Sequence, residues 1–430
     1  MNIKSLLLGS AAAMVAVSSA QAADAVVVEA EPVEYVRVCD AYGSGFFFIP
    51  GTETCIRFGG FVRSAYEKLT FDNDDAAIGE QSFTLWGQRA RLNIDVRNET
   101  DWGTLRSVYR LEGGQSNVDT DIDMDVALIS LAGFRAGFAG ANYWSTNHGF
   151  GGVNSESVAS TASGVIYPDG FYGFDDATIF DYTWAADGLS VTVGVEDTRI
   201  SYGRGNAVGG GDFLNTTNNG GIDDGASFYA GLNYSGDFGT FAFTAAHDTN
   251  AVDFDDLAEV TAAYAGAAAP GGRVGNGEGG WAYKVSLNLD LSEFIPGGSI
   301  HGWYANDGDY DTDYVHSNLL TLNPESIWGV GFNANLSDEV EFWALYSAVE
   351  GTDISAAVGA IVDPLAVATE TGDAELISIG LNWFPAAAPG FHIKSSYSFG
   401  EVENNLSPVI GVAAGDADFD GFEVTLRRDF

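Results

Sequence analysis

The stretch Gly421-Phe422-Glu423-Val424-Thr425-Leu426-Arg427-Arg428-Asp429-Phe430 puts Phe422, Val424, Leu426 and Phe430 on one face of a strand and Glu423, Thr425, Arg427 and Asp429 on the other. Strand side chains alternate with period 2, so one face is apolar and one is polar. The sequence stops on this strand. An alternating strand that ends in an aromatic suits a closed barrel, whose last strand must pair with its first. Arg428 interrupts the apolar face and is expected at a membrane interface, where a long cation reaches back to water.

Upstream, sixteen segments between residues 56 and 430 repeat this alternation. Most have the roughly 9–11 residues that a tilted strand needs to cross a bilayer. The clearest is 84–98, where Trp86, Ala90, Leu92, Ile94 and Val96 alternate with Arg89, Arg91, Asn93, Asp95 and Arg97. Short connections, such as those at Gly133, 187–188 and 337–338, alternate with long ones at 70–83, 113–123, 140–176, 197–226, 249–280, 307–325, 350–373 and 401–419. Greek-key crossings would scramble that order. An all-β, antiparallel, up-and-down transmembrane barrel of sixteen strands predicts it, with a lumen wide enough for water. Tyr66, Trp86, Trp102, Trp184, Tyr234, Tyr283, Trp328 and Trp383 lie near segment ends, as interfacial girdles require.

The formal net charge is −42, from 18 Lys+Arg against 60 Asp+Glu. A polyanion such as nucleic acid would be repelled, so no nucleic-acid partner is expected. After residue 22 no run approaches the roughly 18 apolar residues of a membrane helix. Residues 1–22 read as a cleaved secretory signal: Lys4, an apolar core from Leu6 to Val17, and Ala20-Gln21-Ala22 at the cleavage site. Residues 23–55 form an N-terminal segment holding both cysteines, Cys39 and Cys55, ahead of the barrel at 56–430. In an exported chain this pair predicts one disulfide, worth about 3 kcal/mol in the entropic account. Two thiolates without nearby histidines do not make a metal site, and no cofactor is expected.

The stretch VEYVRVCDAYGSGFFFIPGTETCIRFGGFVR (33–63), the leader MNIKSLLLGSAAA and Phe430 resemble the alphaproteobacterial general porins of the rhizobial and brucella type. The resemblance implies a homotrimeric channel in outer-membrane lipid and lipopolysaccharide, passing small hydrophilic solutes. It also implies that the loop after the fifth strand folds into the lumen as a constriction. A terminal Phe, here Phe430, is in similar proteins part of the signal read by the outer-membrane assembly machinery.

Seven arginines, Arg57, Arg63, Arg89, Arg91, Arg97, Arg106 and Arg110, fall on the polar face of the first three segments. Counting residues from the turns puts Arg63, Arg91 and Arg110 at similar depth, with Arg89 and Arg106 close to it. These five are the expected basic wall of the pore. The 140–176 loop carries Glu156, Asp169, Asp175 and Asp176 and no Lys or Arg, so it is the expected acidic counterpart. Such a transverse field orders water and solutes and disfavours apolar molecules.

Enzymatic signals are weak. Asp307, Asp309, Asp311 and Asp313 alternate, but Thr312 and Asn318 stand where a calcium-binding EF-hand requires Gly and Glu. His148, His247, His301, His316 and His392 show no fixed spacing to Ser or Asp that would make a triad. The rival functions are a substrate-selective outer-membrane channel and a secreted β-rich adhesin or lectin.

Overall fold

The structure is a computed structural model that describes residues 37–73, 80–115, 120–139, 178–197, 227–248, 252–253, 279–306, 308, 310–311, 325–351, 373–405 and 415–430. Residues 1–36, including the expected signal segment, lie outside the described residues.

Sixteen strands build the wall: Cys55–Asn73 (β1), Glu80–Thr100 (β2), Gly103–Gln115 (β3), Thr120–Leu131 (β4), Phe134–Phe138 (β5), Thr178–Ala186 (β6), Leu189–Asp197 (β7) and Ser227–Gly236 (β8) form the first half. Gly239–Asp248 (β9), Gly280–Asp290 (β10), Ser299–Asn306 (β11), Ser326–Asn335 (β12), Val340–Glu350 (β13), Ala374–Trp383 (β14), Phe391–Asn405 (β15) and Gly415–Asp429 (β16) form the second. Each strand pairs antiparallel with its sequence neighbour, and β16 closes on β1 from Ala417↔Asn73 to Asp429↔Phe61. The barrel is shut by Phe430, whose backbone exchanges two 3.0 Å hydrogen bonds with Gly60.

β1, β2, β15 and β16 run past the last hydrophobic alternation on the long-loop side. There the pleat continues but its outward positions turn acidic. Glu375, Glu401, Asp418, Asp72 and Glu80 stand directly opposite one another across β14, β15, β16, β1 and β2, all exposed. Hydropathy therefore ends where the ladder does not. Like charges directly opposite cost of the order of a few tenths of a kcal/mol each.

Within the span, burial follows the period. On β14 Ala374, Leu376, Ser378 and Asn382 are buried, while Ile377, Ile379, Leu381 and Trp383 are exposed. An apolar outside and a polar inside is the inverse of a soluble sandwich and matches a wall in hydrocarbon. Seven of the eight expected girdle aromatics point outward from strands, and Trp102 is exposed in the turn after β2; Tyr66 packs on Trp86 with ring centroids 4.7 Å apart. At the other side of the wall two hairpins close in two residues, Ala132-Gly133 and Asp187-Gly188, with positive φ at all four positions. That is the turn whose twist fits antiparallel strands.

Four inward aromatics each face a glycine. Tyr229 is opposite Gly194, Trp303 opposite Gly329, Trp343 opposite Gly380 and Phe419 opposite Gly400. A Cβ at Gly380 would stand 2.2 Å from the Trp343 indole. The missing side chain lets the ring lie along the wall.

Ahead of β1, Cys39 and Cys55 form the expected disulfide. Both cysteines and Phe46 are buried, with Tyr42 and Phe48 packed against them. Cys55 is the first residue of β1, so the bridge ties the segment to the wall itself.

Replacing Gly380 with Val should tip Trp343 toward the lumen, cost about 1–3 kcal/mol of stability, and lower single-channel conductance. Thermal unfolding in detergent and bilayer recording check the two effects.

Candidate functional site

The pleat of β1, β2 and β3 turns Arg57, Arg63, Arg89, Arg91, Arg97, Arg106 and Arg110 to the inside. Their placement follows from register: Arg63 lies opposite Arg89, and Arg427 of β16 lies opposite Arg63. Three guanidinium-bearing residues thus share one row across the closing seam. Phe61, buried, is the plate beneath them: Arg427 sits 4.0 Å, Arg91 5.1 Å and Arg63 5.9 Å from its ring centroid. Cation–π contact of this kind holds guanidinium planes against the wall.

The wall carries its own counter-charges in two groups. Near the short-turn mouth, Asp95 is 4% exposed. It accepts from Arg97 at 3.0 and 2.8 Å and from Arg106 at 3.1 and 3.0 Å, and Arg57 stands 3.6 Å away. Phe46 of the disulfide-closed segment lies between Arg57 and Arg97, at 4.8 and 4.9 Å. This lower group therefore also anchors the N-terminal segment. Higher up, Glu112 pairs with Arg89 at 2.9 Å and with Arg91, and Asp125 pairs with Arg110 at 2.9 Å and with Arg91 at 3.7 Å. Arg110 also donates to the Asn93 carbonyl oxygen at 3.0 Å.

Asp125 of this group lies at a bulge. The β3–β4 register shifts between Arg110 and Leu111, pairing them with Val126 and Met124 and leaving Asp125 as the extra residue. The bulge joins two halves of opposite phase, so that Asp125, inward by the alternation of Ile122 and Met124, is followed directly by the inward Val126. Arg427, Asp95 and Glu112 were legible as inward residues, but their partnership with the arginines depends on strand register. A further inward pair, Arg135 with Asp181, is joined by the Tyr229 hydroxyl, which donates to Asp181 at 2.7 Å.

The expected acids of the loop, Glu156, Asp169, Asp175 and Asp176, lie outside the described residues. The expected basic positions Arg63, Arg89, Arg91 and Arg110 are brought together at the upper group, and Arg106 joins the lower one. Side-chain exposure of the paired arginines runs from 24% for Arg89 to 45% for Arg57, while inward Lys284, His301 and Trp343 on the far strands are buried. Solvent meets charge along β1–β3. At the short-turn end of the seam Arg428 is exposed and donates to the Pro389 carbonyl oxygen at 2.8 Å.

A closed barrel with an apolar outside and a charged, solvated inner wall is a transmembrane channel. The porin subfamily model matches residues 24–420, and the chain belongs to that family. Porin Omp2b of Brucella canis is 35% identical over 324 residues, covering 68% of this chain and 82% of the Brucella protein. Porin Omp2b of Brucella abortus strain 2308 matches to the same extent, at 35% over 324 residues. Among solved structures, the outer membrane channel DcaP of Acinetobacter baumannii superposes with a TM-score of 0.53 at 13% identity, covering 89% of this chain and 99% of that one. OprB of Pseudomonas putida gives 0.52 at 10% identity, covering 87% and 94%. These two share the fold. The protein is an outer-membrane porin, a channel for passive diffusion.

Removing the Asp95 charge leaves three guanidinium groups facing one another. Asp95→Asn should cost about 2 kcal/mol or more, since it strips the common partner from a partly buried network. Arg97→Gln should cost less, because Arg57 and Arg106 still hold Asp95. Thermal unfolding of the two variants in the same detergent gives the order.

Proposed function

We propose that the pore is narrowest beside the upper arginine group, with Arg63, Arg89, Arg91 and Arg110 on one wall, Arg106 flanking them below, and the 140–176 loop facing them. Its acids Glu156, Asp169, Asp175 and Asp176 would complete a transverse field through which small hydrophilic solutes pass. The observation that carries this is the partly exposed, self-compensated set Arg89, Arg91, Arg106 and Arg110 on β2–β3, with Arg63 buried beside it. A second feature supports the loop's part: β5 has only five residues, against the roughly 9–11 of a full crossing. Its described ladder ends at Phe138, just ahead of the 140–176 loop. Self-compensation also sets the strength of the field, since paired guanidinium groups act over shorter range than free ones.

The rest of this reading concerns assembly. Residues 1–22 direct export and are removed, and the mature chain forms homotrimers in outer-membrane lipid beside lipopolysaccharide. Phe430 is offered to the assembly machinery. Its ring is outward and 64% exposed while its backbone is held by Gly60, so the side chain is free for recognition. The surplus of carboxylates over cations favours weak cation selectivity in the wide parts of the channel.

Planar-bilayer recording tests the pore: three equal current steps are expected from the native protein, and Arg89→Ala with Arg91→Ala and Arg110→Ala should shift conductance and ion selectivity; unchanged currents would remove the eyelet from this wall. Deleting Phe430 should cut the yield of inserted protein while leaving the conductance of assembled channels as it was. Normal yields would show that the residue carries no signal.

A further inference from the structure

Two rows above the Arg427–Arg63 pair, toward the long loops, Glu423 of β16 stands directly opposite Glu67 of β1. Both point inward and each is 6% exposed. The Oε2 atom of Glu67 has no hydrogen-bond partner among the described residues, and the carboxylate makes no ion pair there. It lines a cavity of about 20 Å³ together with Glu423, the Ser396 and Ser398 positions of β15, Leu69 and Gly421. That is room for a single water-sized occupant.

The cavity exists because Gly421 lacks a side chain. A Cβ there would lie 3.1 Å from the Leu69 Cδ1 atom and 3.4 Å from the Lys68 carbonyl oxygen, so it would take up the space. Glu423 is engaged on its other side by the Thr425 hydroxyl, which donates to Oε1 at 2.8 Å. Two cations act electrostatically on Glu423, Arg63 and Lys394. Arg63 also faces Glu112, and Lys394 also faces Glu341 and Asp429; neither acts on Glu67, whose one perturbation is burial. Two like charges meet across one strand pair, and one of them is buried without a partner. An uncompensated buried carboxylate is costly, and the lining offers only oxygen donors, carboxylate and hydroxyl, which suit a hard cation.

We propose that Glu67 and Glu423, completed by the hydroxyls of Ser396 and Ser398, hold one hard cation of the calcium class in the channel wall above the arginines. The site rests on the channel reading for its role: a weak cation station beside an arginine wall lets cations enter and leave where the arginines alone would repel them. Its existence as a binding site does not rest on that reading.

Two measurements decide it. In equilibrium dialysis of the detergent-solubilised full chain against radioactive calcium, Glu67→Gln should bind one ion fewer per chain than the native protein. Gly421→Ala, which keeps both carboxylates and fills the cavity, should lose the same ion. In bilayers, Glu67→Gln should lower the cation-to-anion permeability ratio about twofold. Equal calcium uptake by native protein and Glu67→Gln overturns the site, whether or not the protein conducts. A loss in Glu67→Gln with full binding in Gly421→Ala also overturns it, because charge alone would then account for the ion. Should Glu67→Gln fail to insert, Glu423→Gln is dialysed in its place, and undiminished uptake sinks the proposal. Absence of any current steps from the native protein, with the dialysis result intact, would count against the channel reading alone.

Discussion

Everything in this molecule depends on one backbone requirement: in hydrocarbon no N–H or C=O can be left without a partner. A sheet with two free edges fails that test, so β16 must meet β1 along its whole length, and it does so from Asn73 down to Phe61. The final carboxyl-side residue is drawn into the same ladder through Gly60, a position where a Cβ would stand 1.9 Å from the Arg91 carbonyl oxygen. Closure fixes register, and register fixes which side chains share a row. The arginine row, the Glu67–Glu423 pair and the aromatic–glycine pairs are all consequences of where the seam locks.

Once the wall is closed, period 2 does the sorting. Outward positions must be apolar over the membrane band and inward ones are released from that demand, so charge gathers inside. What the alternation leaves open is how inward charges are balanced. Here Asp95, Glu112 and Asp125 are interleaved with the arginines on the same three or four strands. Each guanidinium paired in this way is held in a fixed direction.

Much of this was legible before any coordinates. The strand count, the long and short connections, the inward faces of the arginines and the cysteine pairing all follow from local sequence, because alternation, turn residues and export signals are local properties. Strand ends were less legible: β1 continues to Asn73 and β16 begins at Gly415, since hydrogen bonding persists where the outward residues have become polar. Partnerships were least legible. That Trp343 would lie over Gly380, or Glu423 against Glu67, depends on pairing between strands whose register no single segment encodes. The inward facing of Val126 was hidden for another reason, because a one-residue bulge changes the phase of the alternation after Asp125.

The outward row Glu375, Glu401, Asp418, Asp72 and Glu80 gives the seam an ionic character that its hydrogen bonds do not share. Four strand spacings separate the ends of the row, roughly 19 Å at about 4.8 Å each. At about 0.01 M salt the screening length, roughly 30 Å, exceeds that span, so all five carboxylates repel as one body; at about 0.15 M it shrinks to roughly 8 Å and only neighbours feel each other. The upper part of the closure is therefore a polyelectrolyte rim whose cohesion rises with the ionic strength of the medium outside the cell. Dilution loosens it from the loop side downward, while the apolar staves below remain clamped.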